Sequence, residues 1–105
     1  MYVEKMVELN EVREDLGLLK ECLGGLNEVR YPLAYQNILK LAHKLDGLSE
    51  CHYSSIVTRI ERAHYCLSLK TLNACLDYIE VFIKLTDEYL QLSAVNEFLN
   101  QEDAA

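Results

Sequence analysis

The stretch Leu41-Ala42-His43-Lys44-Leu45-Asp46-Gly47-Leu48-Ser49 (residues 41–49) decides how the chain is read. With Ala34 and Ile38 before it, Leu41 and Leu45 recur at spacings of three and four residues, which places them on one face of an α-helix. At 100° per residue, His43 lies about 170° round that helix from the centre of the apolar stripe. Gln36, Lys40 and Gly47 share its side. His43 is therefore expected to face solvent or a partner, and Gly47, one turn on, leaves it without a bulky neighbour. Pro32 fits the first turn of this helix, where its missing N–H has no partner to lose.

Upstream, Leu9, Val12, Leu16, Leu19 and Leu23 repeat the same spacing, so a first helix is expected from about Val3 to Leu23. Gly24-Gly25 should end it, since glycine readily adopts the left-handed conformation of a helix terminus. Leu26 to Tyr31 connects it to the second helix. Downstream, Asp46 to His52 reads as a loop punctuated by Gly47 and Ser49. A third helix is expected from about Tyr53 to Leu67, with Tyr53, Ile56, Val57, Ile60, His64 and Leu67 on its dry face. Ser68 to Thr71 reads as a short turn. A fourth helix then starts near Leu72, with Leu72, Leu76, Ile79, Ile83 and Leu90 on one side and Cys75 and Phe82 flanking; it either extends to Asn100 or breaks near Leu92-Ser93. Ile38, Leu41, Leu45, Ile60, Leu67, Leu76, Ile79 and Ile83 are the expected core. The fold class that follows is all-α, an antiparallel up-down bundle of about four helices. It forms one domain, residues 1–105, with a core over about 3–92 and a C-terminal extension over 93–105.

The net charge of −7 disfavours nucleic acid or an anionic membrane as the main partner, because both reward a basic surface. No apolar run approaches the roughly 20 residues of a membrane span. The charged start Met1-Tyr2-Val3-Glu4-Lys5 does not read as a signal peptide, so a cytoplasmic protein with reduced thiols at Cys22, Cys51, Cys66 and Cys75 is expected. Cys51-His52 and His64-x-Cys66 lack the short spacings of a zinc site, and neither a metal nor another cofactor is expected.

At His43-Lys44-Leu45-Asp46-Gly47-Leu48-Ser49 the chain resembles the histidine phosphotransfer (HPt) domains of multistep phosphorelays. These are small, usually acidic helical bundles with a motif of the form His-x-Leu-Lys-Gly-Ser. Histidine, leucine and glycine match in place, and the likeness extends over roughly Leu16 to Leu90. The resemblance implies that His43 is a phosphoacceptor, that Gln36, Lys40, Lys44, Asp46 and Gly47 frame it, and that the partner is a receiver domain or a histidine kinase. Where the family has lysine three residues after the histidine, this chain has Asp46, and a carboxylate there would repel a phosphoryl group. Leu48 replaces the small residue after the glycine. Lys40 and Lys44 are the available cations. Two versions stay open: a relay domain that accepts and passes a phosphoryl group on His43, or a degenerate one that docks receiver or kinase domains without transfer. Neither has independent turnover on a small molecule.

Two other readings compete. One is a non-catalytic acidic helical adaptor or chaperone, monomer or dimer, that binds a protein partner through apolar residues such as Leu90, Leu92, Val95, Phe98 and Leu99. The other is a ribonuclease, since Arg59-Ile60-Glu61-Arg62-Ala63-His64 resembles the Arg-x4-His motif of HEPN ribonucleases. Ile60 stands where that family has a polar residue, and Arg59 and His64 lie about 140° apart on one helix, so the two cannot converge on one phosphate.

Overall fold

The structure is a computed structural model that describes residues 2–50, 55–63 and 67–104. Among the described residues there are four α-helices: α1 (Tyr2–Leu23), α2 (Tyr31–Ser49), α3 (Ile56–Ala63) and α4 (Leu69–Ala104). A 3₁₀ turn, Glu28–Arg30, leads into α2, where Pro32 occupies the first turn. No strand occurs among the described residues. The molecule measures 59 × 24 × 15 Å. The 36 residues of α4 set its long axis, because at 1.5 Å per residue they extend about 54 Å.

Up-down order is fixed by pairs along the helices. Arg13 of α1 bonds to Asp87 of α4 at 2.9 Å, and Lys20 to Glu80 at 2.8 Å, so rising numbers in α1 meet falling numbers in α4. At the other end, Lys5 of α1 lies 3.8 Å from Glu50, just past α2. The helix α2 packs against the other three helices, and its stripe supplies Ala34, Ile38, Leu41, Ala42, Leu45 and Leu48 to the core. Facing them are Leu9, Val12 and Leu16 from α1, Ile56 and Ile60 from α3, and Leu72, Leu76, Ile79 and Ile83 from α4. Of the eight core residues expected from periodicity, Leu67 alone is only partly buried.

α1 ends at Leu23 before Gly24-Gly25, as expected, but the way it ends, and the end of α2 and start of α4, depart from expectation for local reasons. No described glycine has positive φ. α1 stops instead through two tightened turns: Gly25 N–H donates to Cys22 C=O and Leu26 N–H to Leu23 C=O, both at 3.2 Å. α2 does not stop at Asp46. It continues through Gly47 to Ser49, and the left-handed residue is Glu50 (φ 54°, ψ 31°), whose N–H donates to Asp46 C=O. What read as a turn before α4 is its first turn: Ser68 Oγ accepts from Thr71 N–H at 3.1 Å, and Leu72 N–H reaches Ser68 C=O at 3.0 Å. α4 then runs without a break past Leu92-Ser93. The expectations for Cys51, His52, Tyr53, His64 and Cys66 lie outside the described residues.

Candidate functional site

α2 is rigidly held because its apolar side is enclosed by three helices. Its other side is a straight exposed ridge: Leu33, Gln36, Lys40, His43 and Gly47, spaced three, four, three and four residues apart, are all exposed. His43 and Lys40 make no hydrogen bond or ion pair among the described residues. Residues one turn apart have Cβ atoms about 5–6 Å from each other, so Lys40 can reach a group bound at His43. At Gly47 an added Cβ would meet nothing within 4 Å, and φ there is ordinary. The fold thus makes no demand for glycine at this position, although glycine in a helix interior costs about 1 kcal/mol relative to alanine.

Lys44 sits beside this ridge, with its Nζ 4.0 Å from Asp15 of α1. Between α1 and α2 lies an open groove of about 310 Å³, lined by Asp15, Leu18, Leu19 and Cys22 on one side and by Asn37, Lys40, Leu41 and Lys44 on the other. Lys40 therefore stands between the groove and His43. Leu18 and Leu33, both well exposed, add apolar surface to this region.

Asp46 does not join this face. Its Oδ1 accepts from Ile56 N–H at 2.7 Å, and its Oδ2 accepts from Ser55 Oγ at 2.9 Å and Val57 N–H at 3.3 Å. Ser55 Oγ in turn accepts from Thr58 N–H at 3.2 Å. Between them, Asp46 and Ser55 take up three of the four N–H groups that a helix leaves unpaired at its start, and the carboxylate lies at the positive end of the α3 dipole. The carboxylate that departs from the expected lysine thus has a structural task. Glu50, the next acidic residue, is engaged with Lys5 and with the Tyr89 hydroxyl.

The groove residues Leu18, Cys22 and Asn37, and the exposed Leu33 of the ridge, were not legible as site residues. The one available signal was that Leu18 and Leu33 are large apolar residues off their helices' stripes. Elsewhere, the Arg59 guanidinium lies 5.6 Å from the centroid of the Phe82 ring. That contact occupies the arginine of the Arg-x4-His pattern, while His64 lies outside the described residues. Cys22 is an exposed free thiol; Cys75 is a buried one, and burial pushes its pKa up. Among the described residues no helix is long and apolar enough to cross a membrane. Comparisons with known protein families, with curated proteins and with solved structures give no match.

Proposed function

We propose that the exposed ridge of α2 is a docking face for a receiver domain and that His43 accepts a phosphoryl group there and passes it on. One observation carries this reading. His43 stands unpartnered among the described residues on a rigid helix, with an uncommitted lysine one turn before it and an open glycine one turn after it. A flat, unshielded imidazole of this kind suits a reaction in which the partner brings most of the machinery.

The step is an in-line transfer. The lone pair of a neutral imidazole nitrogen attacks the phosphorus of an aspartyl phosphate. An N–P bond forms as the bond to the carboxylate oxygen breaks, and the partner's aspartate leaves as a free carboxylate. Lys40 offsets charge on the transferring group, with Lys44 as a weaker second source because Asp15 shares it. Asp46 is engaged by Ser55, Ile56 and Val57 rather than by Lys40 or Lys44, so it does not compete for those cations.

Mapping amide chemical shifts on titration with receiver domains carrying a beryllofluoride aspartyl-phosphate mimic tests the docking face. The expected changes centre on Leu33, Gln36, Lys40, His43 and Gly47. Changes confined to α4, or none with any receiver of a broad panel, would sink the proposal.

A further inference from the structure

α4 is apolar on two faces. Leu72, Leu76, Ile79, Ile83 and Leu90 face the core. A second row, Tyr78, Val81, Leu85, Glu88, Leu92, Val95 and Leu99, alternates spacings of three and four without a break. Its centre lies about 175° round the helix from the core face. Tyr78, Val81, Leu92, Val95 and Leu99 are between 43% and 61% exposed, and Leu85 is partly buried. A shallow groove of about 320 Å³ runs along the row, lined by Glu88, Gln91, Leu92 and Val95. Among the pairs that tie α4 to its neighbours are Glu80 and Asp87 to α1, Phe82 to Arg59 of α3 and Tyr89 to Glu50, and none of these α4 residues belongs to the row. Single exposed apolar residues are ordinary, but a heptad sustained over three repeats is the seam of a coiled coil.

Charge selects what covers it. Beyond Lys84 the sequence has Asp87, Glu88, Glu97, Glu102 and Asp103 and no lysine or arginine. A second copy of this chain, paired parallel or antiparallel about the middle of the row, would set Glu88 against Glu88. Like charges at a seam position are costly, and the flanking carboxylates add to the repulsion. We infer that this seam docks an amphipathic helix of another protein, with apolar residues in heptad register and a lysine or arginine facing Glu88. The surface lies on α4 and is independent of the reading of His43.

Two synthetic helical peptides with leucine heptads test this, one with lysine and the other with glutamate at the flanking positions and at the core position facing Glu88. Binding to the full chain is read by fluorescence anisotropy. The lysine peptide should bind at least roughly tenfold more tightly than the glutamate peptide, and Glu88→Lys should reverse the order. Leu92→Ser with Val95→Ser should weaken the lysine peptide roughly tenfold or more while leaving helicity and melting unchanged, since both positions are exposed. His43→Gln should leave peptide binding as it was. Equal binding of the two peptides, or lysine-peptide binding that ignores Leu92→Ser with Val95→Ser, would overturn the inference. So would self-association of the chain that this double change abolishes, because the seam would then belong to a second copy.

Discussion

Asp46 Oδ1 and the Ile56 N–H meet at 2.7 Å, so a side chain near the end of α2 caps the start of α3. This contact turns the most conspicuous departure from the phosphotransfer motif into part of the fold. Asp46→Ala should cost about 1–2 kcal/mol, the usual loss when a helix cap is removed. Asp46→Lys should cost more, since it sets a cation against the positive end of α3. Denaturant unfolding checks both, and an Asp46→Lys protein as stable as the parent would contradict the capping role.

Gly47 separates stability from docking. Because an added Cβ meets open space, Gly47→Ala should stabilise the protein by up to about 1 kcal/mol. Gly47→Leu should also leave the fold intact, yet it should weaken receiver docking by placing a bulky side chain beside His43. A melting curve and a binding titration on the same two variants separate the effects.

Thr86 lies fully buried in α4, and its Oγ1 has no hydrogen-bond partner among the described residues. A buried hydroxyl left unpaired costs about 1–3 kcal/mol. Thr86→Val keeps the shape and removes the hydroxyl, so stability in denaturant should rise. A loss of stability would show that the hydroxyl is satisfied in solution.

Burial holds the pKa of Cys75 above its ordinary value, and burial, with Glu61 and Cys75 nearby, does the same for Tyr35. A raised folded-state pKa means that the folded state keeps its proton where the unfolded chain has lost it. The stabilisation is fully present below the ordinary thiol value of about 8.5 and fades as pH rises through the folded value. Stability should therefore fall on the alkaline side, and Cys75→Val should move the onset to higher pH. Unfolding free energies measured from neutral to alkaline pH test the sign; a stability that rises there would refute it.

How far the sequence could be read follows from what each feature depends on. The stripes of α1, α2 and α4, and the exposure of His43 opposite the stripe of α2, need only the periodicity of one helix, and they were legible. The end of α1 at Leu23 was legible from Gly24-Gly25, but the end of α2 and the start of α4 were not, because they rest on capping. Gly47 looked like punctuation but keeps a helical φ, while Glu50 takes the left-handed conformation. Ser68 caps α4 at Leu69, one turn before its apolar stripe begins at Leu72. The Asp46 cap and the groove between α1 and α2 are tertiary and leave no local pattern. The C-terminal part of the second row of α4, Leu92, Val95 and Leu99, was legible as apolar surface, but its continuation through Tyr78, Val81 and Leu85 was hidden, because it shares one run of apolar residues with the core face.

Incubating the protein with a phosphorylated receiver domain and locating the phosphate by mass spectrometry at neutral to alkaline pH is the most direct test of His43. The account predicts phosphate on His43 of the wild-type chain and none on the His43→Gln chain. Melting temperatures should stay nearly equal, because exposed positions seldom shift stability by more than about 0.5 kcal/mol. Phosphate on another residue, or none on His43 with a receiver that binds the α2 ridge, would contradict the claim that this histidine is the acceptor.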